Sequence, residues 1–124
     1  MLQENGRMDS PAYHHGIELF NRGEFYDAHE VLEDVWRASV DPEKKFLQAL
    51  IQTAVALHHH STGNVVGCKS LMARALRNFS GYPEGFCGVE LEHLRTALGE
   101  WQQALAEGRE LPPFPRVHHR RHNH

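Results

Sequence analysis

The sequence predicts an all-α protein, a compact bundle of about five helices. Three observations carry this reading. Apolar residues recur at steps of three and four in five separate stretches, no stretch alternates with the two-residue period of a strand, and glycine, asparagine and proline stand at the breaks between the five. A chain of 124 residues, 40% of them hydrophobic, is enough for one core without disulfides.

Residues 1–9 are polar and patternless and read as a flexible N-terminal arm. Ser10-Pro11 is a helix start, a capping hydroxyl followed by proline at the first helical position. The first helix is expected over 11–22, with Tyr13, Ile17 and Phe20 on one stripe, and Gly23 closes it in a left-handed cap. The second is expected over 24–38, its apolar face made by Phe25, Ala28, Leu32, Val35 and Trp36. Asp41-Pro42 is the next break. The third, over 43–62, has Phe46, Leu47, Leu50, Ala54 and Leu57 on one side. Gln48, Gln52, Val55, Ala56 and His59 replace the usual charged face on the other, so it should be buried on both flanks and central. Gly63-Asn64 leads into a fourth helix, 65–79, carrying Val65, Cys68, Leu71, Met72, Ala75, Leu76 and Phe79. Ser80–Gly88 is a Gly/Pro loop. The fifth helix, 89–107, repeats Leu91, Leu94, Leu98, Trp101 and Leu105 and stops at Gly108. The helical domain thus spans 10–108, and 109–124 is an extended, His/Arg-rich tail in which Phe114 tucks against the helices.

Composition narrows the function classes. A formal charge of −3 attracts neither nucleic acid nor an anionic membrane as a whole. Basic residues Arg116, Arg120 and Arg121 sit in the tail without an aromatic platform, which argues against nucleic-acid recognition. The longest apolar region, 46–57, is interrupted by glutamines and falls short of the roughly 20 residues a bilayer requires. With no signal segment and two distant cysteines, a soluble cytoplasmic protein is expected. Cys68 reads as a small buried side chain and Cys87 as a loop thiol.

The first four helices form two copies of one hairpin about 40 residues apart. Gly23 matches Gly63, Phe25 matches Val65, Ala28 matches Cys68, Leu32 matches Met72 and Trp36 matches Leu76. Glycine turns the chain, an apolar residue two later seats the second helix, and a small residue five later lets the helices approach. The pattern resembles the turn and second helix of a tetratricopeptide repeat, without that motif's Trp and Pro landmarks.

The stretch 23–36, GEFYDAHEVLEDVW, holds the candidate site. At about 100° per residue, His29 lies on the margin of the core stripe and Glu33 one turn on, neighbours at i, i+4 that can share a proton or a metal. Glu30 points further toward water. Gln48, Gln52 and His59 fall on one line of the third helix. Were the two lines to face each other, His29, Glu30, Glu33, Gln52 and His59 would surround a polar cleft. Three readings follow: a buried hydrogen-bond network, a cleft for a protein, peptide or small ligand with Tyr26 and Trp36 as aromatic anchors, or a metal site. The metal would be zinc, iron or manganese on His29 and Glu33, with His58 or His59 as a further ligand. His60 is expected to be solvated. Tail residues His118, His119, His122 and His124 would bind metal only adventitiously. No nucleophile elbow, phosphate loop or dinucleotide fingerprint is present.

The runs FNRGEFYDAHEVLEDVWR, FLQALIQTAVALHH and GNVVGCKSLMARAL together resemble the family called domain of unknown function 309. The likeness covers about 19–76. It implies a compact all-α fold and no particular activity, and the family's recurring polar positions fall on His29, Glu30, Glu33, Gln52 and His59. The expected function is therefore a small binding or adaptor module rather than an enzyme. The alternative is a metal-dependent hydrolase with His29 and Glu33 as ligands and Glu30 as base. Self-association through the fifth helix or the LPPFP segment is a further expectation.

Overall fold

A computed structural model describes residues 10–119. The expected arm, 1–9, and the last five residues lie outside the described residues. Helices run over Pro11–Asn21 (α1), Phe25–Arg37 (α2), Glu43–Ser61 (α3), Val65–Phe79 (α4) and Leu91–Glu107 (α5), with a 3-10 turn at Phe86–Gly88 before α5. Ser10 caps α1 through its hydroxyl, which accepts from the Tyr13 amide at 3.2 Å.

Both hairpins close through the same turn. The Gly23 amide donates to the Phe20 carbonyl at 2.9 Å and the Glu24 amide to the Leu19 carbonyl at 3.0 Å. The Gly63 and Asn64 amides do the same to His60 and His59 at 3.0 and 2.8 Å. This is the helix-ending motif in which the residue after the cap is left-handed, and Gly23 and Gly63 have φ of 84° and 85°. A Cβ is strained at such φ, which is why glycine stands at both places. The small residues five later, Ala28 and Cys68, are fully buried. At α1 the close approach goes further: a Cβ on Gly16 would stand 2.6 Å from a methyl of buried Leu32.

The second hairpin differs in one local respect. Asn64 Oδ1 accepts from the Gly67 amide at 2.8 Å and caps α4, whereas Glu24 makes no side-chain cap on α2. Asn64→Ala is expected to lower the unfolding free energy by about 1 kcal/mol, read by urea denaturation, with Asn64→Asp restoring most of it.

α3 packs against α2 on one flank and α4 on the other, and α5 packs on α4. Phe46, Leu47, Leu50, Ala54 and Leu57 are buried, as are Ala49, Thr53 and Ala56, so α3 is the central helix with an apolar girth wider than one stripe. At one end of the bundle Phe46 is ringed by Phe79, Tyr82 and Phe86, with centroids 5.1–5.5 Å away.

α5 begins at Leu91, two residues later than the periodicity predicts. Val89 is buried and pairs in an antiparallel bridge with His119, and Glu84 Oε1 accepts from the Glu92 amide at 2.9 Å. The end of the described chain therefore returns to the body. Pro113 O accepts from Trp101 Nε1 at 3.0 Å, Phe114 stacks on Trp101, and Val117 is buried with its backbone clamped by the Asn21 side-chain amide, whose Nδ2 donates to the Val117 carbonyl and whose Oδ1 accepts from the Val117 amide. No helix among the described residues is long and apolar enough to cross a membrane.

Candidate functional site

α2 presents its inner face, Phe25, Ala28, Leu32 and Val35, to the core. One step round the helix stand Tyr26, His29 and Glu33. The His29 and Glu33 side chains are 21% and 40% exposed, with Nε2 3.9 Å from Glu33 Oε1. The other ring nitrogen, Nδ1, lies 3.2 Å from the Tyr26 carbonyl. A carbonyl only accepts, so this contact assigns the proton to Nδ1 and leaves Nε2 a lone pair in the neutral ring. Nε2 and Glu33 Oε1 are then two acceptors side by side, and the second already has a cation, the Arg37 guanidinium of the same helix. Glu33 also meets Arg37 Nη2 at 3.4 Å, and Arg37 Nη1 donates to Asp34 at 2.7 Å. Glu30 is exposed, further round the helix.

α3 contributes differently from the sequence expectation. Gln52 Oε1 accepts from Asn78 Nδ2 of α4 at 2.8 Å. His59 also turns that way: its Nδ1 is 3.4 Å from Asn64 Nδ2, and its ring edge lies against Gly67. Gln52 and His59 do share a line, as the wheel requires, but that line faces α4 and not α2. The side of α3 toward α2 is about 80–100° away and carries Lys44 and His58. Lys44 Nζ sits 4.1 Å over the Trp36 ring and donates to the Trp36 carbonyl at 3.1 Å. His58 meets Tyr26, with ring centroids 5.3 Å apart, and Tyr26 meets His29 at the same separation. His29, Glu33, Gln52 and His59 therefore do not surround one cleft. What the structure assembles is a surface row of His58, Tyr26, His29 and Glu33. Tyr26 stands within ring contact of both His29 and His58. Among the described residues no three His, Cys, Asp or Glu side chains converge as a group that could hold a metal ion.

One further residue departs from expectation. His60 is half-buried, its ring edge-on to Trp101 at 5.2 Å, because α3 ends against α5. Cys87 takes a left-handed backbone, φ 52°, in the loop after α4. Burial, and then the nearby Glu43 carboxylate, push its thiol up to about 12, so it stays protonated at neutral pH. Trp101 is 1% exposed, so the self-association expected of α5 cannot run through it.

Tyr26, expected as an aromatic anchor beside the cleft, stands instead within the row, between His29 and His58. Its signal was present in the sequence: an aromatic one step off the core stripe at the first turn of a helix that otherwise turns acids outward.

Comparison with known proteins places this stretch in context. The chain is 38% identical over 82 residues to an uncharacterized protein of Aquifex aeolicus, covering 65% of this chain and 25% of that protein. It is 34% identical over 94 residues to the uncharacterized protein YpuF of Bacillus subtilis, covering 73% of this chain and 52% of that one. The chain thus spans about half the length of one relative and a quarter of the other. Residues 13–71, from α1 through the first half of α4 and including the whole His29–Glu33 face, match the family described as Domain of unknown function (DUF309).

Proposed function

We propose that the protein is a binding module whose ligand face is the outer side of α2, with Tyr26, His29, Glu30 and Glu33 as contacts and His58 at its edge. The ligand chemistry we infer is a lysine- or arginine-bearing segment of a partner protein. The observation that supports it most is the His29–Glu33 pair, whose Glu33 Oε1 already takes the Arg37 guanidinium of the same helix at 3.4 Å, beside Tyr26, which is 51% exposed. Charge agrees. α2 carries Asp27, Glu30, Glu33 and Asp34 against Arg37 alone, so its water-facing side is acidic. Along the same helix the chain's own Lys44 already sits on the Trp36 ring, an internal instance of an ammonium taken by an aromatic.

The test is a titration of the labelled protein with a lysine/arginine-rich peptide, followed by amide shifts. Signals of Tyr26, His29 and Glu33 should move, and Tyr26→Ala and Glu33→Gln should each weaken binding about two- to fivefold, the worth of an exposed cation–π contact or ion pair. An acidic peptide of equal length that moves the same signals would overturn the reading.

A second reading, a metal-dependent hydrolase with His29 and Glu33 as ligands and Glu30 as base, draws on the same pair. Equilibrium dialysis against zinc, iron or manganese separates the two. One metal per chain, lost in His29→Ala, would favour the enzyme.

A further inference from the structure

The His/Arg-rich tail carries two consecutive histidines, His118 and His119, that composition alone assigns to a flexible segment. His118 and His119 instead each meet a histidine of the body. His118 lies edge-on to His93 of α5, centroids 4.5 Å apart, and His119 lies against His14 of α1, with Nε2 2.7 Å from His14 Nδ1. His122 and His124 lie outside the described residues.

We propose that His14 and His119 form a two-imidazole site for a divalent cation of the zinc class, and that the ion fastens the segment that follows α5 to α1. The site is separate from the His29–Glu33 face and does not depend on it.

Three observations carry this. The two ring nitrogens point at each other, so they hold one shared proton or one cation between them. Tetrahedral coordination with bonds of about 2.0–2.1 Å needs the nitrogens roughly 3.3 Å apart, and the pair is about 0.6 Å short of that. The partners are also held in place before any ion arrives. His14 is on the second turn of α1. His119 is fixed by its bridge to Val89, by the Glu90 amide donating to the His118 carbonyl at 2.8 Å, and by the two Asn21–Val117 bonds. Finally, the pair opens on a pocket of about 410 Å³ lined also by Glu18, Asn21, Arg22 and Arg116, with room for the waters that complete the coordination. Glu18 lies in the same pocket but is taken by Arg22, so the protein ligands are the two imidazoles alone. The arginines oppose a cation, but both are engaged: Arg22 Nη2 is 3.3 Å from Glu18, and Arg116 Nη1 donates to the Asn21 carbonyl at 3.3 Å.

The experiment is zinc titration of the full chain at pH 7.5 by calorimetry, with thermal denaturation in parallel. One zinc per chain is expected, with a rise in melting temperature. Affinity should fall about tenfold or more in His14→Ala and in His119→Ala, and should be unchanged in His122→Ala/His124→Ala and in His29→Ala. It should also fall as pH drops below about 6.5, where protons compete for the imidazoles. Absence of zinc binding, or zinc binding that survives both single variants or disappears with the outer tail histidines, would overturn the proposal. Should His14→Ala unfold, His119→Asn, at the end of the described chain, reads the same site.

Discussion

Replacing Trp101 by alanine is expected to cost about 3–5 kcal/mol of unfolding free energy, the range for deleting a fully buried indole. The ring is 1% exposed and is the joint of three elements. His60 of α3 meets it edge-on at 5.2 Å, Phe114 stacks on it at 5.6 Å with an 18° tilt, and Nε1 donates to the Pro113 carbonyl at 3.0 Å. Phe114 in turn meets Phe25 at 5.3 Å, which meets Phe20 at 5.2 Å. Losing the indole therefore removes core volume from α5 and also the surface on which the proline-rich segment lies. Urea denaturation followed by circular dichroism gives the free energy. Limited proteolysis after Arg109 or Arg116 should accelerate in the variant, reporting the freed segment. Trp101→Phe keeps the stacking and loses the donor to Pro113, whose exposed carbonyl can turn to water, so about 1 kcal/mol is expected. Equal losses in the two variants would mean that the hydrogen bond, and not the packing, holds the segment down.

Much of this architecture was legible because it is local. Ser10-Pro11, Gly23 and Gly63 mark helix ends since a cap hydroxyl, a fixed φ and a left-handed residue are requirements of a few adjacent peptides. The core stripes follow from period alone, and so does the central place of α3, whose polar side is too poor in charge to face water. What period cannot give is the flank on which each neighbour lies. The wheel puts Gln52 and His59 on one line, and the expectation that α2 covers that line fails because α4 does. The choice depends on how two hairpins stack, a non-local matter, and Asn78 takes Gln52. The start of α5 fails for the same kind of reason. Val89 fits the helical stripe, but a residue thirty positions later pairs with its backbone. His60 was read as solvated because three consecutive histidines must fan round a helix, and nothing in those three residues announces that Trp101 lies beside the third. Of the candidate site, the His29–Glu33 pair was readable as an i, i+4 neighbour on one helix. Tyr26, three residues before His29 on the same helix, is equally local, but His58 depends on which side of α3 comes to α2.

Phe46→Ala should match Trp101→Ala in size, about 3–5 kcal/mol, for a different reason. Phe46 is wholly buried on the first turn of α3, with Phe79, Tyr82 and Phe86 arranged edge-to-face round it. Such edge-to-face pairs add to the simple burial of area. The surrounding loop has polar ties of its own. Tyr82 Oη donates to the Pro42 carbonyl at 2.6 Å, and Arg95 Nη2 donates to the carbonyls of Phe79 and Tyr82 at 2.7 and 2.9 Å. These bonds keep the loop near its place when the ring is removed, so the cavity cannot collapse and its full cost is felt. Near-ultraviolet dichroism should change with the loss of the cluster while the helical far-ultraviolet signal persists. Phe46 and His60, the α3 residue that touches Trp101, are fourteen residues apart on one helix, about 21 Å along its axis. At that distance the milder substitutions Phe46→Leu and Trp101→Phe should add to within about 0.5 kcal/mol. A double variant that departs from the sum by more than about 1 kcal/mol would mean that α3 does not act as a stiff spacer between the two aromatic ends.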